Sequence, residues 1–108
     1  MSVIANISVS ADVIRDVAKV TTLATDGVLG LVDHPVVISV PPREAFRAVD
    51  VLLKDEKAHI SLHIVAADNV SLVELGKTIQ HSVAEAVDEM CGVEVYAVDV
   101  SIEDVRKP

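Results

Sequence analysis

The sequence predicts an α+β domain in which two helices pack on one face of a four-stranded, mainly antiparallel sheet. Three observations support this prediction. The periodic segments follow in the order strand, helix, strand, strand, helix, strand (βαββαβ). The apolar residues are almost all aliphatic, with one Phe, one Tyr and no Trp, a composition that suits a two-layer sandwich of sheet and helices. A chain of 108 residues supports a single core, so residues 1–108 form one domain. The arrangement is ferredoxin-like. A K-homology-like layer is the alternative, because the sequence does not determine strand order.

The first two elements are a short strand and a helix. Residues 3–9 alternate in the manner of a strand. Ser10 is a favourable N-cap, and apolar residues at helical spacing from Val13 to Thr21 predict a buried stripe. After the helix we expect a glycine-bounded turn over residues 26–31.

The segment at residues 32–47 is predicted to be a variable insertion. Pro35, Pro41 and Pro42 enclose a short apolar run, and prolines at both borders exclude a long central strand. The run can form a short edge strand or an ordered loop.

The next two runs, residues 49–54 and 58–64, predict a β-hairpin. Centring its turn between Asp55 and Glu56 places Val51 opposite Ile60, and a slip of one residue would destroy the match of apolar partners. Because Asp-Glu is not a preferred pair in two-residue turns, a four-residue loop is favoured over a two-residue one.

The last third of the chain predicts a long helix followed by a strand. Ser71 and Glu74 have the spacing of a capping box, and Gly92 ends the helix. In the strand at residues 93–102 both faces are apolar. Val93, Val95 and Ala97 are expected on one face, and Tyr96, Val98, Val100 and Ile102 on the other.

Composition excludes several classes of function. The net charge of −8 argues against a nucleic-acid partner, because phosphate contacts require clustered Lys and Arg. No apolar stretch approaches the ~20 residues that span a bilayer, and the N-terminus lacks the features of a signal peptide, so we expect a cytoplasmic protein without direct membrane insertion.

The sequence holds no evident catalytic, metal or cofactor site, and we expect a protein that is not an enzyme. His59 and His63 lie roughly 13 Å apart along a strand, too far for one metal ion. His81 and Glu85 have the spacing of a pair on the helix surface. Cys91 follows a helix C-terminus, where the helix dipole disfavours a thiolate.

Surplus apolar surface is the feature that predicts function. A four-stranded sheet with helices on one side leaves its other side uncovered, and an apolar strand there requires a second cover. Self-association into a dimer or larger oligomer supplies that cover. The predicted self-association face consists of Leu52, His59, His63, Tyr96, Val98 and Val100.

The apolar spacings and glycines resemble those of the alkaline shock protein family, the general or envelope stress response proteins of Gram-positive bacteria. The resemblance covers nearly the whole chain apart from residues 32–47. It is carried by Ile7-Ser8-Val9-Ser10, Val13-Ile14, Val17-Ala18, Asp26-Gly27-Val28, Gly30-Leu31, Ile79-Gln80, Val83, Val87, Met90, Gly92-Val93, Val95, Val98, Val100 and Ile102.

The resemblance implies a small, non-enzymatic cytoplasmic protein that self-assembles. Some members are held at the membrane by a separate membrane-anchoring protein, and some short members accompany a dihydroxyacetone-kinase-like protein. The first hypothesis is therefore an interaction or scaffold protein of the envelope stress response. The alternative is a small regulatory ligand-binding module, which polar residues converging near Ser10 or residues 69–71 would indicate.

Overall fold

The computed structural model describes residues 7–32 and 48–108 of the chain. Apart from Val32, the predicted insertion at 32–47 lies outside the described residues, as do residues 3–6 of the predicted first strand. The elements are α1 (Ala11–Leu23), β1 (Val28–Leu31), β2 (Val49–Lys54), β3 (Lys57–Ala67), α2 (Leu72–Cys91) and β4 (Glu94–Arg106).

Helix α1 begins where the sequence predicts. The hydroxyl of Ser10 accepts a hydrogen bond from the Val13 amide at 3.4 Å, which satisfies one free N–H of the first turn. The buried side of the helix is formed by Ile14, Ala18 and Thr22, whereas Val13 is exposed. The Thr22 hydroxyl donates to the Ala18 carbonyl at 2.7 Å, so this buried polar group has its hydrogen bond within the helix.

The segment predicted as a turn after α1 is instead strand β1. Val28 pairs with Ala66 in an antiparallel ladder with β3. Gly27, just before the strand, has a φ of 96°, a conformation that glycine adopts without the strain of a Cβ atom. Residues 7–10, expected to complete a strand over 3–9, form neither helix nor strand. The fourth strand of the described sheet is therefore β1.

The hairpin of β2 and β3 has the predicted register, with Val51 opposite Ile60. The expected four-residue loop is wrong, because the ladder continues to the residues that flank Asp55 and Glu56. These two residues form the whole turn, with φ values of 52° and 63°. Two consecutive left-handed residues match the twist of the hairpin, and this geometry outweighs the poor intrinsic preference of Asp-Glu for it.

Helix α2 and strand β4 complete the domain as a βαβ unit. Ser71 caps α2 by accepting from the Glu74 amide at 3.4 Å, and Gly92 ends it in the left-handed conformation. Strand β4 then pairs with β3 in parallel. A helical crossover between adjacent strands produces this direction, because the chain returns to the same end of the sheet before it enters the second strand.

The fold class is confirmed, and the structure gives the strand order that the sequence left open. Two helices cover one face of a four-stranded sheet in an α+β, ferredoxin-like architecture. Strand β3 is central: β4 lies along one edge, and β1 and β2 lie one after the other along the opposite edge. The β1 and β2 pairings are antiparallel, whereas the longest pairing, β3 with β4, is parallel. The described residues place no strand between β3 and β4.

The hydrophobic core lies between the two helices and one face of this sheet. Strand β3 contributes alternate residues, as expected for a strand with one face against helices. The largest fully buried side chains are Ile14, Ile60, Leu62, Ile64, Ile79, Val83, Val87 and Thr22.

Candidate functional site

The sheet face opposite the helices carries the polar side chains of β3 and the exposed residues predicted to mediate self-association. We call this surface, formed by Leu52, His59, His63, Tyr96, Asp99 and Glu103, the outer sheet face. Its residues lie on three neighbouring strands, because Leu52 of β2 is opposite His59 of β3, and Asp99 of β4 is beside Ser61 of β3.

The first of two histidine–carboxylate pairs on the outer sheet face joins His59 to Asp99. The Nε2 atom of His59 lies 2.5 Å from Oδ2 of Asp99. The Tyr96 hydroxyl lies 3.3 Å from Nδ1 of the same imidazole. The two rings meet edge to face with centroids 5.4 Å apart. A neutral imidazole that donates from Nε2 to the carboxylate can accept from the tyrosine at Nδ1, so this tautomer satisfies both contacts.

The second pair joins His63 to Glu103. The Nδ1 atom of His63 lies 2.8 Å from Oε1 of Glu103, and the Ser101 hydroxyl donates to the same oxygen at 2.7 Å. The His63 amide also donates to the Ala48 carbonyl at 2.9 Å, which ties this strand position to the start of β2. His63 is only 8 % exposed, and the pair therefore forms a semi-buried polar contact within the outer sheet face.

Two large apolar side chains of this face are open to solvent. Leu52 is 59 % exposed and Tyr96 is 51 % exposed. They flank His59, one from β2 and the other from β4. The combination of exposed apolar area with a nearby set of internally paired polar groups is typical of a contact surface.

Val98 and Val100, assigned to the same face from sequence, lie instead on the helix side of the sheet. Val98 is 8 % exposed and belongs to the core, and Val100 packs against it. The cause is a β-bulge: the register with β3 skips Tyr96, so the alternation of β4 reverses at that residue. Ala97, rather than Val98, therefore lies beside His59.

Asp99 and Glu103 are the functional candidates that the sequence reasoning missed. They are four residues apart, the same spacing that separates their partners His59 and His63. The sequence signal was that two histidines in one strand and two carboxylates in the next have the same spacing of four residues, which brings them together when the two strands are adjacent and parallel. The register with β3 also skips Glu103, whose side chain contacts His63.

The remaining sequence candidates do not converge on this face. His81 and Glu85 form an exposed pair at 3.1 Å on the surface of α2. Cys91 ends α2, and burial raises the pKa of its thiol, which disfavours the nucleophilic thiolate. Within residues 7–32 and 48–108, no three His, Cys, Asp or Glu side chains are grouped so that they could hold a metal ion. In the same ranges, no helix has the length and apolar character needed to cross a membrane.

Three solved structures similar in fold are forms of the MamM CTD. A histidine-to-alanine variant has a TM-score of 0.55 at 14% identity and covers 88% of this chain and 98% of its own. A methionine-to-leucine variant has a TM-score of 0.54 at 15% identity, covering 86% and 95%. An aspartate-to-asparagine variant in a nickel form has a TM-score of 0.52 at 12% identity, covering 90% and 98%. At these identities the likeness concerns the fold alone.

The sequence comparisons give the family. A comparison with curated proteins finds no match. The model of the alkaline shock protein 23 family, described as having a cell envelope-related function, matches residues 2–107. This match covers nearly the whole chain and confirms the resemblance found in the sequence. The protein belongs to the alkaline shock protein 23 family, whose function is related to the cell envelope.

Proposed function

We propose that this protein is a non-enzymatic interaction domain with an envelope-related role, and that it acts by self-association through the outer sheet face. The observation that carries the proposal is the exposure of Leu52 and Tyr96 on a sheet face that the two helices leave uncovered. Burial of such side chains contributes roughly 25 cal/mol per Å² of apolar area, which is the driving force for most protein association.

The hydrogen bonds within the outer sheet face lower the cost of covering its polar groups. Burying a charged or polar group costs free energy unless it is hydrogen-bonded. His59 already contacts Asp99 and Tyr96, and His63 contacts Glu103. A second copy can therefore cover the face while both imidazoles keep their contacts within their own chain.

We further propose that residues 1–108 act as a single cytoplasmic domain that reaches the envelope through a protein partner. The family's envelope-related function and the lack of a membrane-spanning helix among the described residues support this route. A membrane-anchoring protein is the partner that the family resemblance suggests. The ligand-module alternative gains no support from the helix starts, because the Ser10 and Ser71 hydroxyls are each engaged by an amide of their own helix.

The test is the molar mass in solution of Leu52→Lys measured by light scattering over a concentration series. We expect the parent protein to form a dimer or larger species and the variant to shift toward monomer, because the interface would bury an unpaired ammonium group. The far-ultraviolet circular dichroism should not change, since the side chain is exposed in the single chain.

The matched control is Val73→Lys on α2, which adds the same charge at a site of similar exposure (66 %) away from the outer sheet face. Each lysine reduces the net charge of −8 and so weakens general repulsion between copies. A shift toward monomer in Leu52→Lys alone therefore identifies the face. An unchanged mass in Leu52→Lys, or a monomeric parent, contradicts self-association through this face.

A further inference from the structure

Strand β4 presents a second surface, its outer edge. Among the described residues β4 pairs with β3 only, along nearly its whole length from Glu94 to Arg106. The backbone amides and carbonyls on its other edge therefore have no partner strand in residues 7–32 and 48–108. An edge of this length is a template for an added strand.

The backbone hydrogen bonds show which β4 residues face this edge. His63 of β3 uses its amide and carbonyl toward Ala48 and Val32, on the side away from β4. Because the backbone groups of successive strand residues point to opposite sides, the amide and carbonyl of Leu62 point toward β4. In a parallel pair only one of two adjacent residues points toward the other strand, so Val100, beside Leu62, directs its amide and carbonyl to the outer edge.

The same alternation places the backbone groups of Val98 and Ile102 on the outer edge. A side-chain contact agrees with this assignment. The amide of Gln80, on α2, donates from Nε2 to the Val98 carbonyl at 3.0 Å. Gln80 thus occupies the position that an amide of an added strand would take, and a single flexible side chain is displaced at little cost.

The helix side of this edge is a shallow groove. One hollow of about 340 Å³ is lined by Gln80, Ala84, Val95 and Val98 among others. A second, of about 440 Å³, shares Ala84 and Val95 with it. Ala84 and Val95, which line both hollows, join them into one groove between α2 and β4. An added strand directs every second side chain into this groove, where apolar side chains would contact Ala84, Val95 and Val98.

The opposite side of the edge and the far rim of the groove are acidic. The exposed carboxylate of Asp99 lies on the outer side of β4, and Glu85 and Asp88 line the rim on α2. No Lys or Arg occurs between Lys77 and Arg106. Of these carboxylates, Asp99 lies on the side that the alternate side chains of an added strand face, and a basic residue there complements its charge.

We propose that the outer edge of β4 binds an extended segment of another protein in which basic and apolar residues alternate. The apolar side chains enter the groove against Ala84 and Val98, and the basic ones meet Asp99 on the opposite side of the edge. A second copy of β4 is a poor occupant, because it would bring its own Asp99 and Glu103 to an edge that already carries these carboxylates. The inference extends the interaction role proposed above, but it does not depend on self-association.

The probe is a fluorescently labelled peptide of alternating arginine and valine, with binding measured by anisotropy on the full chain. Two controls define the recognition: the same peptide with glutamate in place of arginine, and an isomer of equal composition in which the arginines and valines form separate blocks. We expect binding of the alternating basic peptide only. Equal binding of the block isomer would overturn the proposal, because it would show general charge attraction without strand addition.

Amide hydrogen exchange tests whether a strand is added. We expect the amides of Val98, Val100 and Ile102 to exchange readily in the free protein and to become protected when the peptide binds. Strong protection of these amides in the free protein would show that the edge is already occupied, and it would overturn the proposal. Peptide binding without protection at these amides would do the same.

Variants test whether the outer edge of β4 is the binding site. Asp99→Lys should weaken peptide binding about tenfold, because it removes an attraction to the basic peptide and adds a repulsion. The control is Asp16→Lys on α1, which makes the same change of charge far from the edge. Val100→Pro removes an amide of the open edge and leaves the β3 ladder intact, so it should also weaken binding. Leu52→Lys should still bind the alternating basic peptide, because it leaves every residue of the edge in place. Retained affinity in both Asp99→Lys and Val100→Pro would refute the edge as the binding site.

Discussion

Replacement of Gly76 by alanine is expected to stabilise the protein. Gly76 lies inside α2, where glycine is about 1 kcal/mol less favourable than alanine because its backbone loses more freedom on folding. One reason to keep a glycine there is a close approach of the backbone to another part of the chain. An ideal Cβ atom at this position has no heavy atom within 4 Å outside the local helix backbone, so that reason is absent among the described residues. The full gain of about 1 kcal/mol should appear.

Urea unfolding followed by circular dichroism measures this gain, and thermal unfolding should show a rise of about 4 °C in Tm. Gly92→Ala is the matched control, because it adds the same methyl group with nothing within 4 Å of it. Its backbone, however, is left-handed, with a φ of 66°, and alanine there should cost about 1 kcal/mol. Opposite signs for the two variants are expected. A lower stability of Gly76→Ala than of the parent protein would refute the reasoning. It would show that this face of α2 contacts atoms outside the described residues, and a change in molar mass would identify these atoms as part of a second copy.

Three other predictions concern the turn, the thiol and one carboxylate. Replacing Asp55 by Asn and Glu56 by Gly should raise the free energy of unfolding in urea by about 1 kcal/mol, because both positions have positive φ; no gain would contradict the two-residue turn. Alkylation of Cys91 at neutral pH should be slower in the folded protein than in urea, because burial raises the pKa of the thiol. The Arg106 side chain, through its hydrogen bond, lowers the pKa of Asp104. The stabilisation from this contact is therefore present at neutral pH and is lost as the pH falls through the lowered pKa. In an NMR titration Arg106→Gln should raise the pKa of Asp104, and an unchanged value would contradict this cause.

Elements held by local pairing were predictable from the sequence. The hairpin register follows from apolar partners, since only one alignment sets Val51 opposite Ile60 and keeps every inner pair apolar. Both helix starts follow from their serine caps, Ser10 and Ser71. In each case the residues that determine the register or the helix start lie within or next to the element, so long-range packing is not needed to predict it.

The bulge at Tyr96 could not be predicted, and it caused the error at Val98 and Val100. Both alternation phases of this strand are apolar, so a reversal of phase leaves no trace in the hydropathy pattern. The parallel pairing of β3 with β4 could not be predicted for a different reason. A strand–helix–strand unit fits both an adjacent parallel pair and a pair with another strand between them, and only the position of a remote segment distinguishes the two.

The two proposed surfaces meet at Asp99, and this has a thermodynamic consequence. Its carboxylate pairs with His59 on the outer sheet face and also lies beside the outer edge of β4. A basic side chain of an added strand would share that carboxylate and alter the polar contact that a second copy would bury. Binding of a strand and self-association are then coupled, and by linkage each changes the affinity of the other by the same factor. Peptide affinity that varies with protein concentration, together with an oligomer mass that varies with peptide, would show this coupling. If peptide affinity and oligomer mass do not affect each other, the outer edge of β4 and the outer sheet face act independently.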